Sequence, residues 1–231
     1  MKIILSNNIS DIFEKSTKIP TIALKPYERL DIPVRSHPDM LLFVIDKTVF
    51  CYKEYYIKNK ELFNSIKNEK YNIIPINKEC GMKYPEDIAL NVLKIGNTLF
   101  GKRDCIAKEI LEYAKKHGYS FVDVKQGYAA CATLVLNSEN AITADTSIKN
   151  ALEKCGKNVT FISEDKIVLS GYNCGFIGGA SAVIDDCVYF FGDINSLKSK
   201  EKIVNTITSL NMKIFSVSSG GVYDFGGAKI I

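Results

Sequence analysis

One pattern recurs along this sequence and limits its fold more than any other feature. An apolar strand, a polar turn, a second short strand, a helix and a third strand follow one another. The paired strands are "LLFVIDKTVF" (41–50), "LNVLKIGNTLF" (90–100), "TLVLNSENAIT" (133–143) and "SAVIDDCVYF" (181–190). Their turns, Asp46-Lys47, Gly96-Asn97, Ser138-Glu139-Asn140 and Asp185-Asp186, carry the residues that tight hairpins use. Helical segments follow at 60–69, 105–118, 147–156 and 200–211. Apolar residues recur in them at spacings of three and four, as in Ile106, Ile110, Leu111 and Ala114, or Ile203, Val204, Ile207 and Leu210. That is one buried stripe per helix. Gly118 and Gly156 stand where helix C-caps belong. Third strands follow at "NIIPI" (72–76), "SFVDV" (120–124), "NVTFI" (158–162) and "KIFSV" (213–217). The repeating unit is therefore β-β-α-β and the class is α/β.

The last apolar residue before each turn sets a register at Ile45, Leu93, Leu136 and Ile184, with spacings of 48, 43 and 48. The next position, 47 further on, is Ile231, the last residue. The start of the chain supplies the rest of a fifth unit. "MKIILS" (1–6) reads as a second strand, "ISDIFEKS" (9–16) as a short helix capped by Ser or Asn, and "TIALK" (21–25) as a third strand. The expectation is one domain over residues 1–231, a five-unit α/β-propeller about a pseudo-fivefold axis. In it Ala228–Ile231 pairs with Met1–Ser6, and ring closure buries the strand edges.

Composition excludes several functions. Hydrophobic residues make up 46% and charged residues 24%, enough apolar material for a sizeable core. The net charge of +4 is dispersed, where a nucleic-acid surface needs a concentrated basic face. No apolar run approaches a membrane span, and the apolar run in "MKIILS" is too short for a signal-peptide core. The seven cysteines form no Cys-x-x-Cys, so free thiols in a reducing cytoplasm are expected. Their spacings, with only two histidines, argue against structural zinc. "GFIGGA" (175–180) lacks the Lys and following helix of a nucleotide site, and no cofactor is expected. Nothing sets the oligomeric state. "VYFF" (188–191) fits a partner face or a buried second strand.

Five such units, with both termini meeting inside one of them, resemble the pentein fold. This is the α/β-propeller of the guanidino-group-modifying enzymes, which include arginine and agmatine deiminases, dimethylarginine hydrolases and amidinotransferases. A non-catalytic ribosome anti-association factor shares it. The resemblance covers the whole chain and is strongest to a bacterial group of that superfamily around "GYNCGFIGGASAVI" and "GGVYDFGGAKII". It implies chemistry in a central channel, on the loops entering the first strands. Those loops are "RSHPDM" (35–40), "KYPEDI" (83–88), "KQGYAACA" (125–132), "SGYNCGFIGG" (170–179) and "SSGGVYDFGG" (218–227). Family enzymes place a nucleophilic cysteine in the last loop, a histidine in an earlier one, and acids that grip the guanidinium. Here Tyr223 and Asp224 stand where the nucleophile would be, and Cys174 where a histidine is expected, so the family triad does not carry over.

The residues themselves leave alternatives open. Cys131 and Cys174 lie in channel loops and are candidate nucleophiles, or small packing residues. His37 in "SHPD" is a candidate general base, or a turn cap before Pro38. Asp39, Glu86, Asp87 and Asp224 are candidate anchors for a cationic group, or strand-end and turn caps. Tyr128, Tyr172 and Tyr223 follow loop glycines and either stack on a cation or plug the channel. Two functions compete. One is a cysteine-dependent hydrolase or transferase acting on a small guanidino, amine or amide metabolite in the channel. The other is a non-catalytic binding or scaffolding protein of the same fold.

Overall fold

The computed structural model describes residues 1–162 and 165–231. The chain opens with β1 (Ile3–Ser6), α1 (Ser10–Thr17) and β2 (Thr21–Leu24). There follow α2 (Pro38–Leu41), β3 (Leu42–Ile45), β4 (Thr48–Tyr52), α3 (Lys53–Lys58), α4 (Lys60–Asn68) and β5 (Asn72–Ile76). The next group is β6 (Leu93–Ile95), β7 (Thr98–Gly101), α5 (Lys108–Lys116) and β8 (Ser120–Asp123). After it come β9 (Thr133–Val135), β10 (Asn140–Thr143), α6 (Thr146–Lys154) and β11 (Asn158–Phe161). The last stretch holds β12 (Ser181–Ile184), β13 (Cys187–Phe190), α7 (Lys200–Ser209), β14 (Lys213–Ser216) and β15 (Lys229–Ile230).

Among the described residues these strands form five three-stranded sheets: β3-β4-β5, β6-β7-β8, β9-β10-β11, β12-β13-β14 and β15-β1-β2. In each sheet the central strand pairs antiparallel with a first strand and parallel with the strand after the helix. The fifth sheet takes strands from both ends of the chain. Ile3 lies opposite Ile230 and Ile4 opposite Lys229. The Lys2 N–H donates to the Ile231 carbonyl at 2.8 Å and the Ile231 N–H to Lys2 at 3.0 Å.

The helices bury the stripes that the spacing predicts: Phe63 and Ile66 on α4, Ile110 and Ala114 on α5, Ile148 and Leu152 on α6, Ile203 and Ile207 on α7. Burying each of the larger side chains contributes about 1.5–3 kcal/mol. Gly118 and Gly156 adopt φ of 76° and 74°, the left-handed turn that ends α5 and α6. Val188, Phe190 and Phe191 are fully buried, so "VYFF" is a core strand rather than a partner face.

Four details differ from expectation. The register residue of the second unit is Ile95, which pairs with Thr98 across the Gly96-Asn97 turn as Ile45 pairs with Thr48. Lys94 breaks the apolar run there, which makes Leu93 look like its end. Ile9 sits at the N-cap of α1 with no side-chain cap bond. Helix α2 occupies part of the segment read as the loop 35–40, with Pro38 at its first position, where a missing N–H costs nothing. An extra helical turn, α3, precedes α4.

Candidate functional site

The loops before the first strands meet around Asp224, which is 2% exposed. Its two carboxylate oxygens accept separate backbone N–H groups, Phe176 at 2.9 Å and Gly226 at 2.9 Å. The loops carrying Cys174 and Asp224 approach each other because glycine leaves room: a Cβ on Gly179 would overlap the Asp224 carboxylate, and one on Gly226 would overlap His37. Gly226 also needs its φ of 78°. Against Asp224 lie the Cys131 thiol, 3.5 Å from Oδ2, and the His37 ring, whose Nδ1 is 3.8 Å from Oδ1. Burial raises the Asp224 pKa.

The chemistry of this cluster follows from its burial. His37 is 1% exposed, and burial lowers its pKa against the pull of Asp224, so the ring is neutral at physiological pH. Its Nε2 has no partner among the described residues. Burial pushes the Cys131 thiol well above its usual range, and the nearby Asp224 and Asp39 carboxylates push it further. A thiol in that setting donates a hydrogen bond; it does not form a thiolate.

Above the cluster opens a cavity of about 580 Å³. His37, Cys131 and Asp224 form part of its lining, together with Asp87, Asp145, Asp165, Tyr128, Tyr172 and Cys174. Its apolar wall includes Val34, Met40, Ile167, Leu169, Phe176 and Ile177, and among the described residues no lysine or arginine lines it. Asp87 is 3% exposed; its Oδ2 accepts the Tyr128 hydroxyl at 2.9 Å, while Oδ1 has no partner among the described residues. Burial raises the Asp87 pKa despite that bond. Asp165 accepts the Ser199 N–H on Oδ1 at 2.9 Å, and its buried Oδ2 has no partner among the described residues. Asp145 caps α6, accepting the Ile148 N–H at 2.8 Å. Tyr172 stands at the rim, 42% exposed, its hydroxyl donating to Asp31 at 3.0 Å, and burial with Asp31 pushes its pKa up to about 12.

The other candidate residues lie elsewhere. Asp39 is buried on the far side of the cluster and lines a different cavity. Glu86 is exposed and folds against Gly81, because its loop turns it away from the axis. Tyr223 is 41% exposed and stacks on Phe225 with centroids 6.0 Å apart, outside the cavity lining. His37 does occupy the N-cap of α2, yet its side chain makes no cap bond. Cys174 is exposed, with its thiol 3.1 Å from the Gly175 carbonyl. The amides of Gly175 and Gly179 already donate to Ile167 and Cys131, so they are not free to hold a thiolate. No hydrogen bond joins either thiol to His37 among the described residues. Nothing in the sequence marks Asp145 and Asp165 as lining residues. Asp145 reads as a helix cap, and Asp165 lies far from any first strand.

A family model described as "Family of unknown function (DUF6873)" matches residues 4–229. The chain belongs to the DUF6873 family. Comparison of the DUF6873 chain with curated protein sequences gives no match. Solved structures match its fold over nearly its whole length. DDAH from Pseudomonas aeruginosa, complexed with citrulline, has a TM-score of 0.58 at 12% identity, covering 94% of this chain and 91% of that one. The amidinotransferase SxtG from Microseira wollei has a TM-score of 0.57 at 12% identity, covering 91% and 73%. The C. jejuni agmatine deiminase has a TM-score of 0.53 at 11% identity, covering 93% and 74%. All three are pentein proteins, and the DUF6873 chain has the pentein fold. Among its described residues no helix is long and apolar enough to cross a membrane.

Proposed function

We propose that the cavity above Asp224 binds a small organic cation, a guanidino or amino compound with an apolar body. The observation that carries this is the lining: among the described residues it holds four aspartates, two of them with an unpartnered buried oxygen, and no lysine or arginine. A buried acceptor left without a partner is costly, and a guanidinium or ammonium supplies the missing donors. The apolar wall suits the body of such a ligand. An organic cation fits better than a metal ion, since among the described residues no three potential metal ligands converge. The fold shared with DDAH, an amidinotransferase and agmatine deiminase supports the same ligand class.

Binding without cysteine chemistry is the reading that the geometry favours, because Cys131 is held as a thiol beside two carboxylates. The catalytic reading rests on Cys174, an exposed thiol in the cavity lining. Calorimetric titration with agmatine, arginine and dimethylarginine tests the first reading. One of them is expected to bind, and Asp87→Asn is expected to weaken it about 10–100-fold, the equivalent of one charge-assisted hydrogen bond. No binding by any of the three, or unchanged affinity in Asp87→Asn, overturns it. Assays for released ammonia, urea or dimethylamine, repeated in Cys174→Ser, separate catalysis from binding alone.

A further inference from the structure

A second cavity, about 240 Å³, lies on the other side of the Asp224 cluster. It is lined by residues of all five first strands, including Phe43, Leu93, Leu134, Ala182 and Lys229, so it occupies the channel toward the hairpin-turn end. Counting back two residues from the aligned ends Ile45, Ile95, Leu136, Ile184 and Ile231 shows what is unusual there. Four units place Phe43, Leu93, Leu134 and Ala182 at one register position, all nearly fully buried. The fifth places Lys229. An ammonium takes the position that the other four units fill with apolar side chains.

Its counter-charge is Asp39, 3% exposed; among the described residues neither Asp39 oxygen makes a hydrogen bond of normal geometry, although the Cys131 thiol and Asn91 side chain lie near enough to favour its charged form. Lys229 likewise makes no side-chain hydrogen bond or ion pair with another described residue; burial raises the Asp39 pKa and lowers that of Lys229, and their mutual attraction opposes this, so a ligand that pairs both charges would relieve the cost. The buried Thr133 hydroxyl in the same lining is also unpartnered. Ser181 gives its proton to the Ile177 carbonyl at 2.8 Å, which leaves its lone pairs available. Lys94 is drawn off, its ammonium lying over the Tyr119 ring at 5.6 Å. An anion alone would leave Asp39 unmatched, and a cation alone would leave Lys229 unmatched. Unpaired buried charges are costly. The volume is below the roughly 300 Å³ at which pockets for drug-sized ligands begin. We propose that this cavity is a site for a small zwitterion, its carboxylate received by Lys229 and its ammonium by Asp39, with Thr133 completing the contacts. This is independent of the organic-cation reading.

The test is a melting-temperature and calorimetric titration with glycine and β-alanine, with propionate and propylammonium as the one-charge halves. A zwitterion is expected to bind and raise the melting temperature, and each half to fall short of it by at least 10-fold in affinity. Lys229→Leu is expected to abolish the effect. That variant should fold, because Leu93 and Leu134 hold the same position in two other units. Asp87→Asn, which alters the other cavity, is expected to leave zwitterion binding unchanged. The proposal is overturned if neither zwitterion binds or if propionate binds as well as β-alanine. Binding that survives in Lys229→Leu, or is lost in Asp87→Asn, overturns it too.

Discussion

Ile230 and Ile231 are neighbours of identical chemistry with opposite surroundings. Ile231 is 6% exposed, while Ile230 is 38% exposed. If the fifth sheet contributes to stability as its pairing with β1 implies, truncating the two side chains must have unequal effects. Ile231→Ala removes buried methyl groups and leaves a cavity, at a cost of about 2–3 kcal/mol, the lower part of the usual range for such a change. Ile230→Ala should cost less than about 1 kcal/mol, as surface changes do. Deleting Lys229–Ile231 also removes the two hydrogen bonds with Lys2, each contributing about 1 kcal/mol net, for a total of about 4–5 kcal/mol. Loss of the buried Lys229 ammonium offsets part of that. For a chain of this size the deletion lowers the melting temperature by about 8–16 °C. Urea unfolding followed by circular dichroism, with the three variants side by side, measures this. Equal losses for Ile230→Ala and Ile231→Ala, or a deletion costing under about 1 kcal/mol, would refute the reasoning, since buried strands do not come away freely.

Three other outcomes follow from the site. Burial raises the Asp87 pKa, so its ionisation costs stability above the folded-state pKa and nothing below the ordinary carboxylate range. Asp87→Asn should therefore raise the melting temperature at pH 8 and lose that advantage as the pH falls to 4; an equal gain at both values would contradict this. Asp224→Asn replaces one of two acceptor oxygens with an amide donor facing a backbone N–H, and should destabilise by about 1–3 kcal/mol in urea titration; unchanged stability would show that the carboxylate is not what joins the loops. Limited iodoacetamide labelling at pH 7 with peptide mapping should mark the exposed Cys155 and Cys174 and spare the buried Cys51 and Cys131, with agmatine slowing Cys174 alone; labelling of Cys131 ahead of Cys174 would reverse the assignment of the thiols.

The sheets are legible in the sequence because their signals are local. Alternating apolar runs, two-residue turns and helical stripes each span a few residues, and each unit carries its own copy. The pairing of β15 with β1 followed from counting that repeat round to Ile231. The one slip in register, Leu93 for Ile95, arose where Lys94 interrupts the run. The glycines of "SGYNCGFIGG" marked a functional-looking loop, but Gly179 serves to seat Asp224.

The site depended on distances that no local pattern encodes. His37, Asp87, Cys131 and Asp224 come from four different units, and their order along the chain does not tell which two will touch. Only the packed ring places Cys131 against Asp224 and leaves the His37 Nε2 without a partner, thereby turning two supposed catalytic groups into a thiol and a neutral imidazole. It also sends Asp39 to the opposite cavity from Asp87, though both precede first strands. Local periodicity decides which face of an element is buried, and a chain of residues carries that information directly. Charge state depends on desolvation and on neighbours far away in sequence, and those exist only once the five sheets have packed together.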